Sequence, residues 1–169
     1  NRIIEVGELT TDEFTVSELV DAISDGQYSS SFPDDWADSR LDVTETYYDE
    51  ALNFTTSPFG TDGQEYLRKR VASSSFETVG VTNPLTYDHA THYSYDVHGN
   101  VKSLIQDNAL LGADHSDQQF KRIDYDYDLI SGNVHWVGYQ KSEIDQFYHR
   151  YEYDADNRIS RVETSRDSI

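Results

Sequence analysis

The chain has 169 residues, with 32 acidic residues against 13 basic and a formal net charge of -19, so it can bury one core but repels a phosphate backbone. That argues against nucleic acid as a partner and leaves a solvated acidic surface or oxygen-rich sites for a divalent cation. There is no cysteine, which excludes disulfides, thiolate zinc sites and a cysteine nucleophile together, and no apolar run approaches the roughly 18 residues that span a bilayer.

From Arg2 to Leu9 the residues alternate in part, as in a strand. Thr15-Val16-Ser17-Glu18 matches a capping box, and Leu19, Val20 and Ile23 follow at helical spacing before Gly26, which predicts a short helix near 16–25. Gln27 to Arg40, with three consecutive serines and Pro33, reads as a loop pinned by its aromatics. Leu41 to Leu52 alternates with β-branched residues on both parities and predicts a strand. Thr55 to Gln64 carries Pro58, Gly60 and Gly63, a turn. Arg68-Lys69-Arg70 is the densest basic cluster and reads as a strand edge or a local counter-charge. Phe76 to Val81 is a further short strand, and Asn83-Pro84 is a break. Residues 1–85 are thus a β-rich segment with one short N-terminal helix.

Residues 86–169 say one thing three times. Tyr93 to Val101 reads YSYDVHGNV, Tyr125 to Val134 reads YDYDLISGNV, and Tyr151 to Ile159 reads YEYDADNRI. Two tyrosines at i and i+2 share a strand face while the polar residue between them faces the other way. The aspartate that follows suits the first position of a turn, and Gly99, Gly132 or Asn157 suits a position with positive φ. Ser131 is an extra residue, so the second loop is longer or bulged. Each copy predicts an antiparallel hairpin, with return strands over Asn100 to Ile105, Asn133 to Tyr139 and Arg158 to Glu163. Gln106 to Asp117 is an insertion and Lys141 to Asp145 a polar turn. The second tyrosines are 127 minus 95, or 32, and then 153 minus 127, or 26, residues apart, an irregular repeat. A hairpin with one aromatic face must stack on its neighbours, so the expectation is an extended sheet.

The three copies resemble the YD repeats of the RHS/YD-repeat family. The resemblance rests on Tyr93, Tyr95, Asp96, Gly99, Asn100 and Val101; on Tyr125, Tyr127, Asp128, Gly132, Asn133 and Val134; and on Tyr151, Tyr153, Asp154, Asn157, Arg158 and Ile159. It covers Tyr87 to Val162, with a degenerate copy at Tyr47-Tyr48-Asp49. It implies consecutive hairpins in a curved, shell-like sheet and a non-enzymatic segment of a secreted or surface protein that encloses, carries or displays another part of its own polypeptide, a toxin, effector or adhesin. The long, Asp-Tyr-rich form of the repeat looks most like YD proteins of Bacteroidota, which implies export. The absence of Met, the strand-like opening Asn1-Arg2-Ile3-Ile4 and the closing Ser165-Arg166-Asp167-Ser168-Ile169 read as an internal piece of a longer chain. The autoproteolytic aspartate motif of many family members has no counterpart here.

No catalytic centre, cofactor or metal site is expected. His89 and His92 fall on opposite faces of an extended segment, which one metal could not span. Ser, His and Asp are all available for a triad, but no G-x-S-x-G elbow appears, and there is no glycine-rich nucleotide loop. A hydrolase using two of the many carboxylates would be recognised only by their separation in space. The alternative to a wall segment is an adhesin-like module whose aromatics, Trp36, Trp136 or Tyr139, stack on carbohydrate at a cell surface.

Overall fold

The computed structural model describes residues 2, 5–10, 15, 17, 18, 20, 39–52, 57–79 and 87–167. Nine strands form one open antiparallel sheet whose spatial order is the chain order. They are β1 (Glu5–Thr10), β2 (Ser39–Tyr48), β3 (Val71–Val79), β4 (His89–Tyr95), β5 (Val101–Asn108), β6 (Phe120–Tyr127), β7 (Val134–Tyr139), β8 (Phe147–Tyr153) and β9 (Ile159–Ser165). The sheet runs across residue 85 without a break, because β3 pairs with β4 from Ser73↔His92 to Phe76↔His89. The fold is therefore mainly β, built from consecutive hairpins.

The Thr15–Glu18 capping box forms. The Thr15 backbone N–H donates to Glu18 Oε2 at 2.8 Å and the Thr15 hydroxyl donates to it at 2.7 Å, bonds that hold the Glu18 carboxyl below its ordinary pKa. Ser17, Glu18 and Val20 are helical; the rest of the expected 16–25 helix, and Trp36 with its loop up to Asp38, lie outside the described residues. Several boundaries move: β2 ends at Tyr48 rather than Leu52, and β5 runs on to Asn108 through residues expected in the insertion. β3 begins at Val71, five residues before the expected start at Phe76, so Ser73-Ser74-Ser75 is strand. Ser39 and Arg40, read as loop, open β2. The insertion after β5 holds a short helix, Ala109–Asp114, capped by Asn108, whose side chain accepts the Leu111 N–H at 2.9 Å.

The two faces of the sheet differ. One carries the first tyrosine of each repeat in a half-buried aromatic stripe. The other, across β3–β5, is the more buried, although its residues are mostly small or polar: Ser73, Ser75, Ala90, His92, Ser94, Ser103, Ile105 and Asp107. The insertion between β2 and β3 lies against it, with the Glu65 N–H donating to Ser94 Oγ at 3.0 Å and the Tyr95 N–H to the Glu65 carbonyl at 3.1 Å.

A buried polar chain crosses this face. The Ser73 hydroxyl meets His92 Nδ1 at 2.8 Å, His92 Nε2 lies 3.6 Å from Asp107 Oδ2, and Asp107 accepts from the Tyr87 hydroxyl at 2.6 Å and Gln119 Nε2 at 3.0 Å. Burial pushes the Asp107 carboxyl up, but nearby His92 and the bonds from Tyr87 and Gln119 outweigh it and hold the group below its ordinary pKa. Burial, with Asp107 beside it, pushes the Tyr87 hydroxyl up. Although serine, histidine and aspartate stand in line, Ser73 and His92 are each 0% exposed, so the chain knits strands and offers no nucleophile. Asp107→Ala removes the acceptor of the part-buried Tyr87 hydroxyl and Gln119 amide and the carboxylate beside buried His92; the unfolding free energy at pH 7, read from urea titration, is expected to fall by about 3 kcal/mol.

Candidate functional site: the repeated turn and a tryptophan shelf

The three turns are built alike from the aspartate outward. Asp96 Oδ1 accepts the N–H groups of His98, Gly99 and Asn100 at 2.9, 2.7 and 2.9 Å, and Oδ2 accepts Asn100 Nδ2 at 2.9 Å. Asp128 Oδ1 accepts the N–H groups of Ile130 and Ser131 at 3.1 and 2.7 Å. Asp154 Oδ1 accepts those of Asp156 and Arg158, both at 2.9 Å. In each, the aspartate N–H closes the loop on the carbonyl just before the return strand: Asp96 on Asn100, Asp128 on Asn133, Asp154 on Arg158. Gly99, Gly132 and Asn157 take φ of 99, 73 and 59°, the left-handed region their residue types tolerate. Ser131 lengthens the second turn by one residue, so its inner bond is Gly132 N–H to the Asp128 carbonyl, where the first has Gly99 to Asp96.

The degenerate copy obeys the same rules around an insertion. The Asp49 N–H donates to the Arg70 carbonyl at 3.1 Å, the Asp49 carboxylate accepts the Lys69 N–H, and Lys69 has φ 63°. Asp49 and Lys69-Arg70 thus close a fourth turn of the same kind, with residues 50–68 between them in the chain. The basic cluster belongs to that turn, with the Arg70 guanidinium over the Tyr95 ring at 5.4 Å.

All four hairpins also share a bulge. Tyr48, Tyr95, Tyr127 and Tyr153 pair with Val71, Val101, Val134 and Ile159, and the register shifts by one residue just before each tyrosine. The extra residue is the second of the return strand: Ala72, Lys102, His135 and Ser160. Between hairpins, the ladder stops two residues short of the return strand's start, at Ser73, Ser103 and Trp136. The carbonyls of Val71, Val101 and Val134 therefore have no ladder partner on that side, and each accepts a hydroxyl instead. Tyr95 reaches Val71 at 2.8 Å, Tyr127 reaches Val101 at 2.9 Å and Tyr153 reaches Val134 at 3.0 Å. Every second tyrosine thus ties its hairpin to the one before.

The first tyrosines fill the space alongside. The Tyr93 and Tyr95 rings stack at 6.5 Å and Tyr125 and Tyr127 at 6.2 Å. Tyr151 stacks instead on His149 at 6.3 Å. Burial pushes the hydroxyls of Tyr95, Tyr125 and Tyr127 up.

Trp136 stands on the opposite face, directly across from Asp126 on β6 and Arg150 on β8. Its ring lies over Gly138, where an added Cβ would sit 2.8 Å from Trp136 Cζ3 and 3.1 Å from Tyr148 Cε1. The indole is partly exposed between two clefts of about 650 and 420 Å³. Tyr139, three residues on, falls on the tyrosine face opposite Ile123 and Phe147, so the sheet separates it from Trp136. In the larger cleft Asp126 and Asp128 flank His135 at 3.3 and 3.8 Å. Among the described residues no group of three or more histidines and carboxylates is placed to hold a metal ion, and no helix is long and apolar enough to cross a membrane.

No protein family, curated protein or solved structure matches the chain.

The turn carboxylates make the hairpins acid-sensitive. Burial raises the Asp96 carboxyl, but bonds from Asn100, Gly99 and His98 outweigh it and the net shift is downward; the Ser131 and Ile130 bonds lower Asp128. A folded-state pKa below the unfolded one contributes stability that is fully present above the ordinary carboxylate range and is lost as pH falls through the folded value. Asp96→Asn keeps the side-chain shape and removes the titration. Its expected cost is about 1 kcal/mol at pH 7, with a shallower fall of stability below about pH 4, measured by urea unfolding across pH.

Proposed function

We propose that this chain is a wall segment: a non-enzymatic structural stretch of a secreted or surface YD-repeat protein that encloses, carries or displays another part of its own polypeptide. The observation that carries this reading is the recurrence of one joint. The same aspartate turn, bulge and tyrosine-to-carbonyl bond repeat at three successive junctions, through turns that differ in length, so hairpins add in series without a new design at each step.

The chemistry of the surfaces supports it. The aromatic stripe is half-buried rather than sealed, and tyrosine suits a sheet wetted on both sides because a large ring packs while its hydroxyl reaches a backbone or water. The carboxylates gathered by the turns hold backbone N–H groups, and the buried Ser73–His92–Asp107 chain joins three strands. Both are structural uses of groups that a catalyst would expose.

An antibody raised against Tyr125 to Tyr139 and used on the source cells tests this directly. The expected result is a denatured species several times heavier than 19.4 kDa, found in the medium or on the cell surface. A species of about this mass confined to the cell interior would overturn the reading.

A further inference from the structure

We propose that Trp136 and Lys141 form a binding site for an acidic saccharide, with a hexuronate ring stacked on the indole and its carboxylate on the Lys141 ammonium. The site goes beyond the wall reading and stands or falls independently of it.

The shelf is built rather than incidental. A Cβ at position 138 would sit 2.8 Å from Trp136 Cζ3, so glycine there is what lets the indole lie close to the strand. The Tyr148 ring packs against it in a T-shaped pair, centroids 6.4 Å apart. The indole lines both clefts and stays partly exposed between them, and a flat aromatic surface of this kind matches the apolar C–H face of a pyranose.

Charge then selects the ligand. Lys141 Nζ sits 5.6 Å from the Trp136 ring centre, and among the described residues no carboxylate lies within ion-pair distance of it. Lys102 and Lys121 each bond a carboxylate oxygen at 2.7 Å, from Glu65 and Asp145. In a chain of net charge -19, an ammonium held over an aromatic ring without an acidic partner is a place for an external carboxylate. In the smaller cleft Arg122 and Ser103 already bond Asp124, Arg122 keeping further N–H groups, and in the larger Asp126 and Asn133 carry an acceptor and a donor for ring hydroxyls.

Calorimetric titration of the full chain with trigalacturonate, and with the corresponding neutral galactose trimer, tests the assignment. The acidic trimer is expected to bind saturably, and the neutral one about tenfold more weakly, the worth of one charge-assisted bond. Lys141→Ala, an exposed turn substitution that leaves the fold intact, is expected to weaken the acidic trimer by about the same factor, and Trp136→Ala to abolish binding. Absence of saturable binding by the acidic trimer, equal affinity for the two trimers, or an unchanged affinity in Lys141→Ala would each overturn the proposal.

Discussion

Everything in this sheet depends on how one hairpin is fastened to the next, and the fastening is a tyrosine hydroxyl on a backbone carbonyl. The aspartate turn gathers N–H groups around a carboxylate, and the bulge that follows displaces the second residue of the return strand. Those two features twist the hairpin end away from its neighbour, so the inter-hairpin ladder ends two residues early and would leave carbonyls of half-buried backbone without partners. The hydroxyls of Tyr95, Tyr127 and Tyr153 each supply one. Phenylalanine would fill the same space but leave the carbonyl orphaned, which is the physical reason the repeated residue is tyrosine.

With the turn end fixed in this way, variation moves elsewhere. The unequal spacing of the repeats is taken up at the opposite end of the sheet, where the β5–β6 connection holds a helix and a 3-10 turn (Ser116–Gln118) while the β7–β8 connection is a tight polar turn. The insertion of residues 50–68 sits within a turn instead, and it is put to use. Gln64 Nε2 bridges the carbonyls of Ala72 and Tyr93 at 2.7 and 2.8 Å, filling the gap between the first and second of the four hairpins. Leu67 packs with Ala72 and Tyr95 in the small apolar cluster beneath it.

The turns were legible in the sequence because their chemistry is local: an aspartate, a residue tolerant of positive φ and a β-branched residue in fixed order determine the backbone without reference to the rest of the chain. The fourth turn was nearly hidden because its two halves, Tyr48-Asp49 and Lys69-Arg70-Val71, stand twenty residues apart and Lys69 replaces the expected glycine or asparagine. The bulges left no trace, since Ala72, Lys102, His135 and Ser160 share no property that would mark them. Nor did the buried serine face: Ser94 read only as the polar residue between two tyrosines, and Ser73 and Ser75 carried no sign of burial. The split between Trp136 and Tyr139 follows from their odd spacing. The glycine under the indole required the register, because Gly138 looks like an ordinary weak point in a strand.

The most direct test of this account is the stability of a chain in which Tyr95, Tyr127 and Tyr153 are all replaced by phenylalanine, measured by equilibrium urea unfolding at neutral pH. Three separate joints each losing a hydroxyl-to-carbonyl bond should lower the unfolding free energy by about 3 kcal/mol, near the sum of the single substitutions. A triple variant within about 0.5 kcal/mol of the parent would contradict it, and would mean that the aromatic rings alone hold the hairpins together.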